Sequence, residues 1–439
     1  MGADAEVPLL EGRSGATPAQ TIGNIVVSIV GTGVLGLPYA FRTAGWLAGA
    51  LGVAGAGAAT FYCMLLLLDC RDKLREQETE EDGIVHGHGQ QQQGRCRNYT
   101  YGDLGEKCFG RIGRHFTEAT IVLCQTGGTV AYLVFIGQNI SSVFAGADAE
   151  EGGGSSSPLP PSTVVLALLL PLQAALSFVR SLRSLAAFSI LADACTVLAV
   201  ATVVKQDLQL LAARGEPPFA GRTAVAGPWG VAFAAGFAVF CFEGFCMTLA
   251  LEASMADRRR FRGVLLQAIA GVTAVYVGFG ACGYLAYGDA TADIVTLNLP
   301  RGWPTAAVKV ALCVALALTF PVMMHPIHEI VEARVLPPGG WLRRRGGAAE
   351  RAALHASRVA VLVTLSALAC FVPAFGSFAS FVGSTVCALL SFVLPALFHL
   401  RVVGAGAGAG QRALDWAILL FGLAFAAHGL YAVVVSPQS

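Results

Sequence analysis

Charge is the scarcest feature of this 439-residue sequence, because only 13% of its residues are Asp, Glu, Lys or Arg. Soluble domains carry about twice that share. The hydrophobic residues make up 55% of the chain, far more than a soluble surface and core usually accommodate. The formal net charge of +1 gives no overall field that would favour nucleic acid or an acidic partner. This balance argues against a soluble or disordered chain and predicts a protein whose solvent is the lipid bilayer.

Other features that the sequence lacks argue against further classes of protein. The apolar runs do not alternate with a period of two, as the strands of a membrane barrel do. No HExxH motif, paired aspartates or Ser–His set lies within them, and no pore-lining polar stripe marks a channel. No CxxC pair suggests zinc. We therefore expect a protein that is not an enzyme and has neither a cofactor nor a metal site.

The sequence does contain long, continuous apolar runs. A helix needs about 20 mostly apolar residues to cross about 30 Å of hydrocarbon. Eleven segments meet this length and predict an all-α integral membrane protein with a transmembrane domain over residues 21–435 and short tails at 1–20 and 436–439. No cleavage site precedes the first segment, which we read as a retained helix. The segments are 21–41, 46–68, 116–145, 160–179, 185–204, 228–251, 264–287, 304–328, 357–375, 376–399 and 413–435.

Two inserts between these segments are hydrophilic. Residues 76–98 are rich in acidic residues and Gln, and residues 147–162 contain a Gly–Ser tract and prolines. Both contain too little apolar surface to fold and are predicted to be flexible linkers.

The basic residues predict the orientation. With the N-terminus in the cytosol, 23 of the 29 Lys and Arg residues fall on the cytosolic side, as the positive-inside rule requires. The other six are Arg42, Lys205, Arg214, Arg222, Arg301 and Lys309.

Glycines interrupt the first apolar segment. Gly31, Gly33 and Gly36 match the GxGxxG spacing of a dinucleotide site. However, Pro38 follows Gly36 by two residues, and residues 49–59 lack the acidic residue that such a site needs. A break in a membrane helix explains them better, because it leaves free N–H groups that suit a carboxylate. The alternative is that the glycines only allow close helix packing.

The sixth segment contains a second candidate break at residues 240–244, where Glu243 places a charge at membrane depth. Interrupted helices at corresponding positions of two halves indicate inverted repeats with a substrate site near the midplane. Segments one and six are the first segments of two five-helix halves, so they occupy corresponding positions.

Several runs together resemble the amino acid/auxin permease family: residues 23–41, 99–105, 240–252, 283–288 and 378–384. The resemblance covers nearly the whole chain outside the two inserts. It implies a five-plus-five inverted-repeat, LeuT-like core with helices 1 and 6 broken, plus an eleventh helix. It also implies secondary transport of amino acids, commonly coupled to protons. Aromatic and neutral amino acids are the favoured substrates, and basic amino acids or auxin-like acids are the alternatives.

The resemblance also implies site residues. The backbone at Gly31, Thr32, Gly33 and Val34 would hold the substrate carboxylate. The opposing break would supply carbonyls for the ammonium group through Gly244 and its neighbours, and Phe240 or Phe242 would wall the side-chain pocket. Some animal proton-coupled members have a His where this chain has Asn24.

Titratable residues within the spans are candidates for proton coupling, because ionisable groups at membrane depth are costly and usually functional. Glu243 is the first candidate and Asp193 the second. The alternatives are a helix cap for Glu243 and a polar bond between helices for Asp193. Thr319 is a possible cation site, and Glu252 is expected to pair with the basic cluster 258–260.

The sequence thus predicts a secondary active amino acid transporter that works by alternating access, with amino acid, protons and bilayer as partners and no nucleic acid. A membrane amino-acid sensor and an uncoupled facilitator of the same fold remain alternatives. The vacuolar membrane is favoured over the plasma membrane.

Overall fold

The computed structural model describes residues 15–86, 99–150, 160–177, 182–215, 217–335, 347–404 and 406–435. These residues form an almost entirely helical protein, as expected from the continuous apolar runs. Its α-helices are α1 (Pro18–Ile29), α2 (Leu37–Ala44), α3 (Trp46–His86), α4 (Tyr101–Glu150), α5 (Pro161–Val164), α6 (Leu170–Ser177), α7 (Leu182–Arg214), α8 (Pro228–Cys241), α9 (Phe245–Ser254), α10 (Phe261–Tyr287), α11 (Trp303–Val335), α12 (Gly347–Phe371), α13 (Phe375–Val382), α14 (Leu394–Val402) and α15 (Ala409–Val435).

Within the described residues, nine helices are long and apolar enough to cross a membrane. The pair α1 and α2, bent by 55°, makes a tenth span if it is counted as one. The predicted segment 160–179 contains only a shorter apolar helix, Pro161–Leu176. The all-helical membrane architecture is confirmed, and the count of eleven spans stays a prediction.

The first residues of each predicted linker are helical. Helix α3 continues to His86, so the first part of the predicted linker 76–98 is helical. Glu and Gln are good helix formers, and ion pairs join Lys73 to Glu76 and Lys107 to Glu78. Helix α4 likewise runs to Glu150, inside the predicted linker 147–162. Residues 87–98 and 151–159 lie outside the described residues.

Both predicted helix breaks are confirmed. In the first, α1 ends at Ile29 and a 3₁₀-helix, Thr32–Gly36, leads into α2. In the second, α8 ends at Cys241 and α9 begins at Phe245.

The two broken helices run antiparallel. At one end, the Ala16 N–H donates to the Ser254 carbonyl at 2.9 Å and the Ala256 N–H donates to the Ala16 carbonyl at 3.1 Å. At the other end, the Ala226 N–H donates to the Ala44 carbonyl at 2.7 Å. The start of α1 therefore lies beside the end of α9, and the end of α2 lies beside the start of α8. We call the side with Ala16 the N-terminal side.

Helix α8 packs closely against the π-helical turn Gly383–Cys387 that follows α13. A Cβ atom on Gly383 would lie 1.9 Å from the Gly236 carbonyl oxygen, and one on Gly236 would lie 2.6 Å from the Ser380 carbonyl oxygen. Only glycine allows the two backbones to approach this closely. This contact holds the second broken helix against its neighbour.

The expected partner of Glu252 is wrong. Glu252 pairs with Arg71 of α3, and their side chains are only 3% and 6% exposed. Arg258 donates instead to the Ala253 carbonyl at 3.2 Å. Glu252 is buried on α9 and faces α3, whereas the basic cluster follows the end of the helix and lies nearer to solvent.

We predict that Gly383→Ala destabilises the protein, because its methyl group would collide with backbone that cannot move aside. The expected cost is about 1–3 kcal/mol, measured as a lower melting temperature in detergent. Gly271→Ala on α10 is the control, since nothing lies within 4 Å of a Cβ there. Equal melting temperatures for the two variants would contradict the packing argument.

We also predict that Arg71→Met destabilises the protein by about 3–5 kcal/mol, because Glu252 would keep a buried charge without its partner. Lys73→Met is the matched control two residues away. Its pair with Glu76 is 44% and 63% exposed, so the loss should stay below about 1 kcal/mol. Thermal unfolding of both variants measures the difference, and a harmless Arg71→Met would show that the buried pair does not stabilise this fold.

Candidate functional site

The two helix breaks lie against each other. A Cβ atom on Gly33 would lie 2.9 Å from the Cys241 sulfur, and one on Gly244 would lie 3.0 Å from the Ile29 side chain. A larger residue at either glycine would push the broken helices apart. Glycine therefore allows the contact as well as the breaks.

A cavity of about 400 Å³ opens beside the breaks. Its wall is contributed by both broken helices together with α4, α7, α11 and the π-helical turn after α13. It includes seven residues that the sequence predicted for the site: Gly31, Thr32, Gly33, Phe240, Glu243, Gly244 and Thr319.

Two predicted residues do not line this cavity. Val34 is buried within the 3₁₀-helix, where its N–H donates to the Gly31 carbonyl at 3.4 Å. The Phe242 ring packs against Tyr276 with ring centroids 5.2 Å apart. The Val34 N–H is therefore already used within the 3₁₀-helix, and Phe240 is the aromatic residue of the second break that lines the cavity.

Asp193 lies on α7 between Ala192 and Thr196, and both of these neighbours line the cavity. Its side chain lies outside the described part of the structure. Its role in proton coupling stays a prediction.

The breaks bring backbone groups of opposite polarity to one place. The first N–H groups of a helix and its last carbonyls have no partner within the helix. N–H groups begin the second half of each broken helix at Thr32 and Phe245, and carbonyls end the first half at Ile29 and Cys241. The N-terminal ends favour an anion and the C-terminal ends favour a cation. The pair therefore suits a small ligand that carries both charges.

Glu243 is the carboxylate of the break in α8 and α9, and it lines the cavity. The Gln125 side-chain amide donates to its Oε1 at 3.5 Å. Among the described residues, no ion pair neutralises Glu243. Gly244, not Glu243, is the N-cap of α9, and no side-chain hydrogen bond caps that helix. The alternative of a helix cap is therefore not what the structure shows.

Apolar side chains form much of the remaining wall. They come from α9 and α11: Met247, Leu251, Leu316, Val322 and Met323. Opposite them, Gly128 of α4 leaves space, because an added Cβ would meet only the Met323 methyl carbon at 3.5 Å. This part of the cavity suits an apolar group.

Sequence reasoning missed the contribution of α4. Gln125, Gly128 and Tyr132 line the cavity one helical turn apart, and the Tyr132 hydroxyl lies 3.2 Å from where a Cβ of Gly31 would be. The polar Gln125 within an apolar run was the available signal. Asn24 also lines the cavity, on α1.

Three fully buried aromatic residues lie beyond the breaks, on the side opposite Ala16. The Phe375 ring centroid is 5.7 Å from that of Phe135 and 6.2 Å from that of Phe237. A second cavity of about 600 Å³, lined by Tyr39 and Asp293 among others, lies on that side. We call Phe135, Phe237 and Phe375 the aromatic layer. Because Asn24 and Val27 of α1 line the main cavity, that cavity extends toward the N-terminal side.

Thr319 is placed at the cavity, but its hydroxyl already bonds within α11. It lies 3.2 Å from the Ala315 carbonyl and 3.1 Å from the Leu316 carbonyl. Its oxygen can still accept or coordinate. In the described parts of the chain, no group of three or more His, Cys, Asp or Glu residues is placed to hold a metal ion.

Comparisons with known proteins agree with this geometry. Residues 14–435 match the family described as transmembrane amino acid transporter protein. The chain is 47% identical to the amino acid transporter ANT1 of Arabidopsis thaliana, over 98% of this chain and 97% of that protein. It is 26% identical to vacuolar amino acid transporter 3 of Saccharomyces cerevisiae, over 92% of this chain and 54% of that protein.

Among solved structures, the fold is similar to that of MhsT in complex with L-phenylalanine, with a TM-score of 0.54 at 14% identity. The match covers 96% of this chain and 100% of that chain. At this identity it shows the fold alone, and it confirms the predicted LeuT-like architecture. The expected resemblance is also confirmed, and the chain belongs to the transmembrane amino acid transporter family.

Proposed function

We propose that this protein is a secondary active transporter of amino acids that works by alternating access. The observation that carries the proposal is the pairing of two helix breaks at one cavity, with backbone N–H groups and carbonyls next to each other. An amino acid is a zwitterion whose carboxylate and ammonium match those two sets of groups. Membership of the family supports the same function.

In the proposed complex, the carboxylate binds the N–H groups at Thr32 and Gly33, where the 3₁₀-helix begins. The ammonium binds carbonyls at the ends of α1 and α8. Gly31 and Gly244 keep the backbone accessible at the two breaks, and Phe240 covers one side of the substrate.

We propose aromatic and neutral amino acids as substrates. The side-chain part of the cavity is apolar, and Gly128 leaves room for a ring beside Met323. The similar fold of MhsT was solved with L-phenylalanine bound to that protein. Basic amino acids are the alternative that Glu243 favours, because its carboxylate would attract a second cation.

We propose that protons drive transport and that Glu243 carries them. Its carboxylate lines the cavity without an ion-pair partner among the described residues, so protonation would remove a charge that the site does not otherwise neutralise. Asp193 is the second candidate for proton coupling. Thr319 is the candidate ligand if a cation takes the place of the proton.

Alternating access requires a barrier on each side in turn. Here the main cavity extends toward the N-terminal side, and we propose that the aromatic layer is the barrier between it and the second cavity. We propose that the N-terminus is cytosolic, on the distribution of basic residues, so this state faces the cytosol. Opening the aromatic layer would connect the site to the second cavity.

We propose the vacuolar membrane as the location, with the plasma membrane as the alternative. Relatives from two yeasts carry vacuolar in their names. In an acidic vacuole, proton symport would move amino acids toward the cytosol.

Replacement of Glu243 by Gln tests the coupling. Gln keeps the size of the side chain and a hydrogen bond to Gln125 but cannot load and release a proton. In proteoliposomes, we expect uptake of labelled L-phenylalanine driven by a pH gradient to fall about tenfold or more, while exchange of amino acid across the membrane continues. Glu243→Asp, which keeps a carboxyl group, should retain part of the stimulation.

The other possible results of this transport experiment each lead to a different conclusion. Full stimulation of Glu243→Gln by the gradient would exclude Glu243 as the proton carrier. Transport by the wild type that ignores the gradient would indicate an uncoupled facilitator. Absence of flux across a panel of amino acids would favour a sensor.

Replacement of Gly128 by Val tests the substrate class. The added side chain would fill the space beside Met323, so transport of L-phenylalanine should fall about tenfold relative to L-alanine. Gly55→Val is the matched control, because Gly55 is exposed on α3 and nothing lies within 4 Å of a Cβ there. Equal losses for both substrates would place the substrate side chain elsewhere in the cavity.

A further inference from the structure

The side chain of Tyr276 contacts both helix breaks on the side away from the cavity. Its hydroxyl on α10 lies 3.2 Å from the Ile29 carbonyl oxygen and 3.1 Å from the Cys241 carbonyl oxygen. Tyr276 is fully buried, and it is not among the residues that line the cavity. Ile29 and Cys241 do line it. The hydroxyl therefore reaches both carbonyls from outside the cavity.

Both of these carbonyls lie at the ends of helices. Ile29 is the last residue of α1 and Cys241 is the last residue of α8. Their carbonyls point beyond the helix ends and lack the intrahelical partner that an unbroken helix would supply. An unpaired carbonyl at membrane depth is costly. One hydroxyl group lies within reach of both.

We infer that Tyr276 is a positioning residue that aims the Ile29 and Cys241 carbonyls at the substrate ammonium group. A carbonyl oxygen has two lone pairs, so each oxygen can accept from Tyr276 on one side and from an ammonium N–H on the cavity side. This inference rests on the proposed function, because it assigns a role within the same amino acid site.

A second consequence concerns the relation between the two breaks. The hydroxyl has one proton, which is donated to one carbonyl or shared between the two. In either arrangement, the ends of α1 and α8 stay at a fixed distance from one atom of α10. The ring of Tyr276 also packs against Phe242 of the second break. Tyr276 thus sets the spacing of the two carbonyls that would bind one ammonium group.

Removal of the hydroxyl alone tests the inference. Tyr276→Phe keeps the ring and its packing but leaves both carbonyls free to turn away from the cavity. In proteoliposomes with labelled L-phenylalanine, we expect KM to rise about five- to tenfold, the factor for loss of about one hydrogen bond, with a nearly unchanged maximal rate. The wild type and variant are compared at equal amounts of reconstituted protein.

Tyr284→Phe is the matched control. Tyr284 is buried on the same helix two turns further on, and its hydroxyl accepts from the Thr223 N–H at 3.2 Å, away from both breaks. This variant also loses a hydrogen bond between a tyrosine hydroxyl and the backbone, so it should lower the melting temperature by a similar amount and leave KM at the wild-type value.

The outcomes separate the inference from the proposed function. An unchanged KM in Tyr276→Phe, with transport intact in the wild type, would overturn the positioning role. An equal rise of KM in both variants would also overturn it, because the effect would be general loosening of the fold. A wild type that transports no amino acid would overturn the proposed function itself.

Discussion

The rest of this structure depends on one constraint, which is that backbone polar groups at membrane depth must find partners without help from bulk water. Each broken helix frees several such groups at its interruption. Glycines let the two breaks approach until the groups of one lie next to those of the other, and Tyr276 reaches two of the freed carbonyls. The groups left over line a cavity. The two helix interruptions thereby form a site that offers both N–H donors and carbonyl acceptors.

Two carboxylates on the second broken helix show how surroundings decide the role of the same chemical group. Glu252 is buried next to Arg71, and the pair joins α9 to α3. Glu243, at the break, lines a cavity and accepts a long hydrogen bond from Gln125. The first is a structural group that holds two helices together. The second lies at a cavity wall, and its proposed role is to carry a proton.

The sequence predicted the parts of this protein that local chemistry determines. Continuous apolar runs predicted the helices, and the glycines and proline around Gly33 predicted the first break. The partners of each break depend on tertiary packing, and apart from the polar Gln125 no local signal identified them. Tyr276 lies in an ordinary apolar run, and Gly128 resembles any small residue on a packed helix. The family resemblance implied a backbone contact at Val34 and a pocket wall at Phe242, but neither residue lines the cavity.

The aromatic layer has a consequence for what crosses the membrane besides the substrate. Phe135, Phe237 and Phe375 come from three separate helices and offer no polar atom along their side chains. An ion would lose its hydration within such an apolar layer, so the packed rings oppose its passage. In the proposed transport cycle, this packing would let the protein hold a charged ligand at the breaks without opening a path for ions.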